Sequence, residues 1–208
     1  MELLMPVRLA TKNRAAKRRS VEDTAVPGRI TVSTFNSKLG WIAVASSDRI
    51  IMQLTFGHAT AAAAIRGLNL EAAVFSTEKA WPELARRLTA YAAGKDVDLG
   101  NLTIDVGHLS TFERRVIEHC RRIPYGQTLS YGGLAALAGS PRAARAVGNI
   151  MAGNRCPLVV PCHRVVHASG EIGNYSASAG RRMKLRLLES EGAWQDGKLR
   201  LPASRQPR

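Results

Sequence analysis

Three cysteines, Cys120, Cys156 and Cys162, are all that the 208 residues contain. Their odd number and irregular spacing exclude the disulfide framework of a small secreted domain and favour a reducing, cytoplasmic setting. No CxxC pair and no matching histidine spacing occur, so a metal site built from Cys156, Cys162 and His163 is disfavoured and no metal is expected. Long hydrophobic runs are missing as well. Nothing approaches the roughly eighteen apolar residues of a membrane span. The opening MELLMPVRLATKNRAAKRRS lacks an uninterrupted apolar core before a cleavage site, so it is not read as a secretory signal. Acidic residues are short in one half only. Residues 1–29 carry seven Lys/Arg against three Asp/Glu, residues 30–109 seven of each, and residues 110–208 sixteen against six. Most of the net charge of +14 therefore lies in the second half. Such a basic half points to a polyanion, nucleic acid first, with a solubilising surface as the alternative.

What is present reads as two small domains between two tails. Residues 1–28 are polar, basic and aperiodic, and are expected to be a disordered tail. Over 29–106 an α/β domain is expected. ITVSTFN, GWIAVASS and RIIMQLTFG read as three strands, with a tight turn at Ser47-Asp48. ATAAAAIRGL and PELARRLTAYAAG read as helices, and LTIDV as a further short strand. This neutral half shows no cluster of candidate catalytic groups. Residues 107–194 form a mostly helical second domain, and 195–208 a C-terminal tail. STFERRVIEHCRRIP has capping-box spacing at Ser110 and Glu113, and its apolar stripe makes Cys120 a core thiol. Ser130 caps a short helix ending at Gly139, and Ser140 is expected to cap a second, with Pro141 at its first position. That outline fits a helix-turn-helix, though any helical hairpin shares it. Ala143, Ala144, Ala146 and Gly148 leave one end of the second helix nearly bare while Arg142 and Arg145 project from it. This suits a backbone approaching a narrow surface with arginines on phosphate or in the base stack, or else an alanine-rich core helix with solvated arginines.

The segment VVPCHRVV, residues 159–166, buries a thiol, an imidazole and a guanidinium between valine pairs. A cysteine acts as a nucleophile only as thiolate, and apolar burial opposes that ionisation. A reactive Cys162 therefore needs a base, and His163 is adjacent. On an extended strand the two side chains would point to opposite faces, which calls for a bridging water. The base needs an orienting carboxylate, and Glu171, Glu189 and Glu191 are the nearest downstream. Glu191 ends the helix GRRMKLRLLESEG, where the helix dipole disfavours a negative charge, which hints at a use beyond helix stability. On these grounds alone a nucleophile and an inert core cysteine both remain open.

PCHRVV, together with SYGGLA, PRAARAVGNIMAGN and GNYS, closely resembles the O6-alkylguanine-DNA alkyltransferases. The resemblance covers residues 110–192 almost without a gap and residues 30–109 more loosely. It implies an α/β fold: an N-terminal ribonuclease-H-like three-stranded sheet with helices, then a mostly helical domain whose helix-turn-helix is of the winged-helix type. It also implies a single-turnover reaction in which Cys162 takes the alkyl group from a flipped guanine, with no cofactor. By position His163 is the base acting through water and Glu191 its orienting carboxylate. Asn154 holds the turn before the cysteine, and Tyr131 serves the flipped guanine and the DNA phosphate. Arg145 fills the hole left by the flipped base, while Arg142 and Ala144 belong to the DNA-facing helix. Met151, the Val165 backbone, Tyr175 and Ser176 line the guanine pocket. The partner implied is double-stranded DNA containing O6-alkylguanine, with O4-alkylthymine left open, and a monomer is expected.

Two departures stand out. Zinc ligands found near the N-terminus of some family members have no counterpart, since no cysteine precedes Cys120. After GNYS the chain reads ASAG, and Ala177 and Ser178 are expected to add bulk at the pocket rim. Three functions compete: the suicide alkyltransferase, a lesion-binding or regulatory protein without transfer chemistry, and a cysteine hydrolase using Cys162 and His163.

Overall fold

The computed structural model describes residues 30–68, 70, 76–77 and 81–200. The tail expected at 1–28 lies outside the described residues. Strands β1 (Thr31–Phe35), β2 (Trp41–Ser47) and β3 (Ile50–His58) form an antiparallel meander. The turn between β2 and β3 falls at Asp48 and Arg49 rather than at Ser47-Asp48. Both have positive φ, +49° and +62°, the two-residue geometry that matches the twist of paired strands. Two residues of β4 (Ser76–Thr77) extend the sheet, running parallel to β1. The strand expected in LTIDV reduces to one parallel bridge, Ile104 to Ile51.

The alternation within β2 dictates what covers the sheet. Ala43 and Ala45 face helix α1 (Ala61–Gly67), where they pack with Val32, Ala64 and Leu68. Ile42 and Val44 face the other way, with Leu54 and Phe56 of β3, onto helix α2 (Pro82–Ala92) through Leu84, Leu88 and Tyr91. Proline opens α2 at the position where its missing N–H costs nothing. This second face does not end at the N-terminal half. The same cluster continues through Val116 and Cys120 into Val147, Val160 and Cys162, so one core runs across the boundary near residue 106. Cys120 is fully buried in it.

In the second half, helix α3 (Thr111–Arg121) begins with the expected capping box: the Glu113 amide donates to Ser110 Oγ, and the Ser110 amide to Glu113 Oε2 at 2.8 Å. Helices α4 (Tyr131–Leu137) and α5 (Ala144–Ala152) form the helical hairpin. Ser130 caps α4, but Ser140 does not cap α5. Its carbonyl accepts the Ala143 amide at 2.9 Å, closing a turn over Pro141 and Arg142 that delays α5 until Ala144. Short strands β5 (Leu129–Ser130) and β6 (Val165–Val166) pair in parallel, and helix α6 (Gly180–Ser190) follows. The tail expected from 195 instead starts as a hairpin, β7 (Trp194–Gln195) and β8 (Lys198–Leu199), whose Trp194 and Leu199 pack on Leu188, Val166 and Ile172.

Because one core serves both halves, Leu88→Ala should destabilise the whole molecule by about 2–5 kcal/mol. Urea unfolding followed by circular dichroism and by tryptophan fluorescence should give coincident transitions, both moved to lower urea.

Candidate active site

Cys162 is presented by a chain segment folded back on itself twice. Beyond α5, Asn154 organises the first fold: its Oδ1 accepts the Cys156 amide at 3.0 Å, while its Nδ2 donates to the Val160 carbonyl at 2.9 Å and to Cys162 Sγ at 3.0 Å. The second fold is an inverse γ-turn centred on Pro161 (φ −78°, ψ 61°), closed by the Cys162 amide donating to the Val160 carbonyl at 2.8 Å. Proline suits this centre, since its φ is preset and it has no N–H to leave unpaired. Cys162, His163 and Arg164 then form one turn of 3-10 helix rather than the extended strand expected here. Thiol, imidazole and guanidinium are all buried.

Glu191, at the C-cap of α6, gathers the segment. Its Oε1 accepts from His163 Nε2 at 2.9 Å, from Arg164 Nη2 at 2.9 Å and from the Tyr91 hydroxyl at 2.5 Å. Its Oε2 accepts from Arg164 Nε at 2.9 Å and from the Gly126 amide at 3.3 Å. Arg164 spends its remaining arm on the Ile123 carbonyl at 2.6 Å. Glycine is required at 126: its φ is +72°, and a Cβ there would lie 2.8 Å from the Glu191 carbonyl oxygen. Burial alone would raise the carboxyl's pKa. The hydrogen bonds from His163 and Arg164, with the Arg164 charge, override it and hold Glu191 at about 2. An ionised Glu191 has no proton to give, so Nε2 of His163 must carry one. Nδ1, buried and without a protein partner, is left as the basic nitrogen.

Burial sets the resting state of the pair. It pushes the Cys162 thiol up, against the opposing pull of the Asn154 hydrogen bond and the Lys184 charge. It also pushes His163 down, against the Glu191 hydrogen bond. The pair therefore rests as neutral thiol and neutral imidazole. Lys184, fully buried on α6, donates to the Val165 carbonyl at 2.6 Å and lies 5.7 Å over the Tyr131 ring. Burial draws its pKa down to about 8, which leaves it largely charged near neutrality beside the thiol.

A cavity of about 310 Å³ opens onto the sulfur, lined by Tyr131, Gly148, Met151, Ala152, Cys162, Asn174, Tyr175 and Ser176. The structure thus brings Tyr131, Met151, Tyr175 and Ser176 together at Cys162. Val165 does not reach the lining; it is buried, with its carbonyl taken by Lys184. Nor do Ala177 and Ser178 crowd the rim: Ser178 Oγ donates to the Gly57 carbonyl at 3.1 Å, turning away to the N-terminal sheet. On α5, Gly148 and Ala152 face the cavity, and Arg145 stands one turn earlier on the same stripe. Arg142 and Arg145 are exposed, and Ala144 is half-buried.

Two buried groups escaped the sequence reading, Lys184 and Tyr91; the buried guanidinium of Arg164 is legible in the sequence, but its pairing with Glu191 is not. Lys184 stands seven residues before Glu191, on the same buried face of α6. Tyr91 continues the stripe of Leu84 and Leu88, and a tyrosine on a buried stripe needs a partner for its hydroxyl. The N-terminal half, read as holding no cluster of candidate catalytic groups, contributes this one side chain to the site.

Fold and site together define a protein that holds a buried thiol, a base and a basic helical hairpin around one cavity. The family model described as the 6-O-methylguanine DNA methyltransferase DNA-binding domain matches residues 111–193, and its ribonuclease-like domain matches residues 30–106. The human methylated-DNA–protein-cysteine methyltransferase is 35% identical over 77% of this chain and 79% of that protein. That of Mycolicibacterium paratuberculosis is 34% identical over 77% and 92%. The crystal structure of Mycobacterium tuberculosis OGT in complex with DNA superposes with a TM-score of 0.65 at 30% identity, over 78% of this chain and 92% of that one. The chain belongs to the methylated-DNA–protein-cysteine methyltransferase family.

The pKa shifts carry a stability consequence. His163, depressed in the fold, takes up a proton more readily when unfolded, so stability declines as pH falls below about 6.5. Glu191 adds to this: its contribution is complete above its ordinary value of 4.5 and is lost as pH falls toward about 2. Glu191→Gln should flatten that lower limb. At neutral pH it should cost about 3–5 kcal/mol, because Arg164 is left buried without a charge partner. Urea titrations from pH 8 to 2.5 check both statements.

Proposed function

We propose that this protein repairs O6-alkylated guanine in duplex DNA by receiving the base in the cavity beside Cys162 and transferring the alkyl group to its own sulfur. The observation that carries the reading is the juxtaposition of Cys162, held by Asn154, with the His163–Glu191 pair on one side and the cavity under α5 on the other. The thiol proton passes through water to Nδ1 of His163, for which that nitrogen's lack of a protein partner is the support. Sulfur then attacks the alkyl carbon. The S–C bond forms as the C–O6 bond breaks, and guanine leaves with the electron pair. Tyr131, on the cavity wall, is the proposed proton donor to the departing base. Burial and the neighbouring sulfur charge both raise its pKa, and the second of these disappears as the sulfur is alkylated.

The small residues of α5 suit a narrow groove, and Arg145 is proposed to occupy the space of the extruded base, with Arg142 contacting phosphate. Met151, Tyr175 and Ser176 are proposed to hold the guanine. Among the described residues no helix is long and apolar enough to cross a membrane. The three free, buried cysteines support a cytoplasmic location.

Mixing with O6-methylguanine duplex should load one methyl group per protein, on the peptide that contains Cys162, as read by intact and peptide mass spectrometry. Label on Cys120 or Cys156, or continued turnover, would reject the assignment. His163→Ala should slow transfer while leaving DNA affinity close to wild type.

Extruding a base costs a few kcal/mol of stacking and pairing, which a free base does not incur. Arg145→Ala should therefore lower the transfer rate on duplex far more than on free O6-benzylguanine. Equal losses would make Arg145 a structural residue. Arg142→Ala should instead weaken binding to any duplex and reduce its salt dependence.

A further inference from the structure

We propose that Tyr91, supplied by the N-terminal half, is a positioning residue for the transfer reaction: its hydroxyl fixes Glu191 and His163 so that the imidazole keeps its Nδ1 free to act as the base. The inference rests on the reading of Cys162 as acceptor and His163 as base. Every other group proposed for the chemistry comes from residues 131–191, whereas Tyr91 comes from α2, packed under the sheet.

The geometry leaves the hydroxyl little choice. Tyr91 is only 3% exposed, and its oxygen lies 2.5 Å from Glu191 Oε1 and 3.1 Å from His163 Nε2. A phenol has one proton, and the shorter contact to an anion claims it. The oxygen lone pairs then face Nε2, so both Glu191 and Tyr91 accept from the same N–H. The opposite tautomer would leave Nε2 as a bare acceptor against a carboxylate and place its proton on Nδ1, which has no protein acceptor. Edge contacts with the rings of Tyr125 (6.2 Å between centroids) and His163 (6.5 Å) keep the phenol from swinging away.

Tyr91 also tunes how strongly the carboxylate favours imidazolium. By donating to Oε1 it takes up part of the negative charge that His163 would otherwise feel. The other charged or titratable groups packed around this network are Lys184 on α6 and Glu191 at its end, Cys162 and Arg164 from the same turn, Tyr125 beside Arg164, and Tyr175 beside Cys162. None of them donates to Oε1 from the N-terminal side.

The test compares wild type and Tyr91→Phe in single-turnover transfer from saturating O6-methylguanine duplex, from pH 5 to 9. Loss of a buried hydrogen bond to a charged group should slow transfer about ten- to a hundredfold at neutral pH, with DNA affinity unchanged. The acid limb of the pH–rate profile should move to higher pH, because an unshared carboxylate favours imidazolium. A rate lowered by the same factor at every pH, or not lowered, overturns the proposal. In a Glu191→Gln background, Tyr91→Phe should change the rate less than about twofold; an undiminished loss also overturns it.

Should Tyr91→Phe fail to fold, nitrogen NMR of ring-labelled wild type decides: the proton must sit on Nε2 of His163, and finding it on Nδ1 overturns the proposal. Failure of wild type to methylate Cys162 would instead reject the underlying function, and leaves the tautomer measurable.

Discussion

A buried carboxylate tolerates no idle lone pair, and Glu191 is satisfied by five donor contacts from three other parts of the chain. Removing such a charge from water costs several kcal/mol unless the donors around it are placed well. That requirement orders the site. It brings the end of α6 against the Cys162 turn, pins α2 above it, and draws the loop at Gly126 so close that no side chain fits there. Arg164 neutralises the carboxylate and so lets Glu191 remain ionised without claiming the His163 proton. The guanidinium in the PCHR turn thus has a purpose distinct from that of its two neighbours.

The same burial that demands this ordering keeps the thiol quiet. Desolvation raises the Cys162 pKa and lowers that of His163, so the resting pair is uncharged. A permanently ionised thiol would react with any electrophile that diffused in. A neutral one requires an alkyl carbon held in the cavity, with proton transfer accompanying attack, and positioning then supplies much of the rate. On the proposed reading the acceptor is used once and has no need of a route for regenerating the thiol, which suits a residue 4% exposed and enclosed by Asn154, Tyr175 and α5.

The boundary between the two halves has a similar logic. The chain divides near residue 106, and the matching family models divide there too, yet the core does not. The Leu54 amide donates to the Arg155 carbonyl at 2.8 Å, and Ser178 reaches back to Gly57. The N-terminal sheet thereby braces both ends of the cysteine segment, and Tyr91 extends that bracing into the hydrogen-bond network itself.

Local chemistry was legible in the sequence wherever it is settled by neighbours in the chain. The capping box at Ser110 and Glu113, the Ser130 cap of α4 and the β-branched run of β2 all act within a few residues, and the structure realises each of them. Two misplacements were also local. Positive φ at Asp48 and Arg49 and the turn over Pro141 each shifted an element by one to three residues, because competing turn geometries there use the same residue types. What only the tertiary structure decided is which distant groups share the buried space around Glu191. Tyr91 and Lys184 are ordinary members of helical stretches in the sequence, and the Arg164 guanidinium shows there without its partner. They become parts of a site because removing water from that space forces every donor and acceptor in it to find a partner, whatever its distance along the chain.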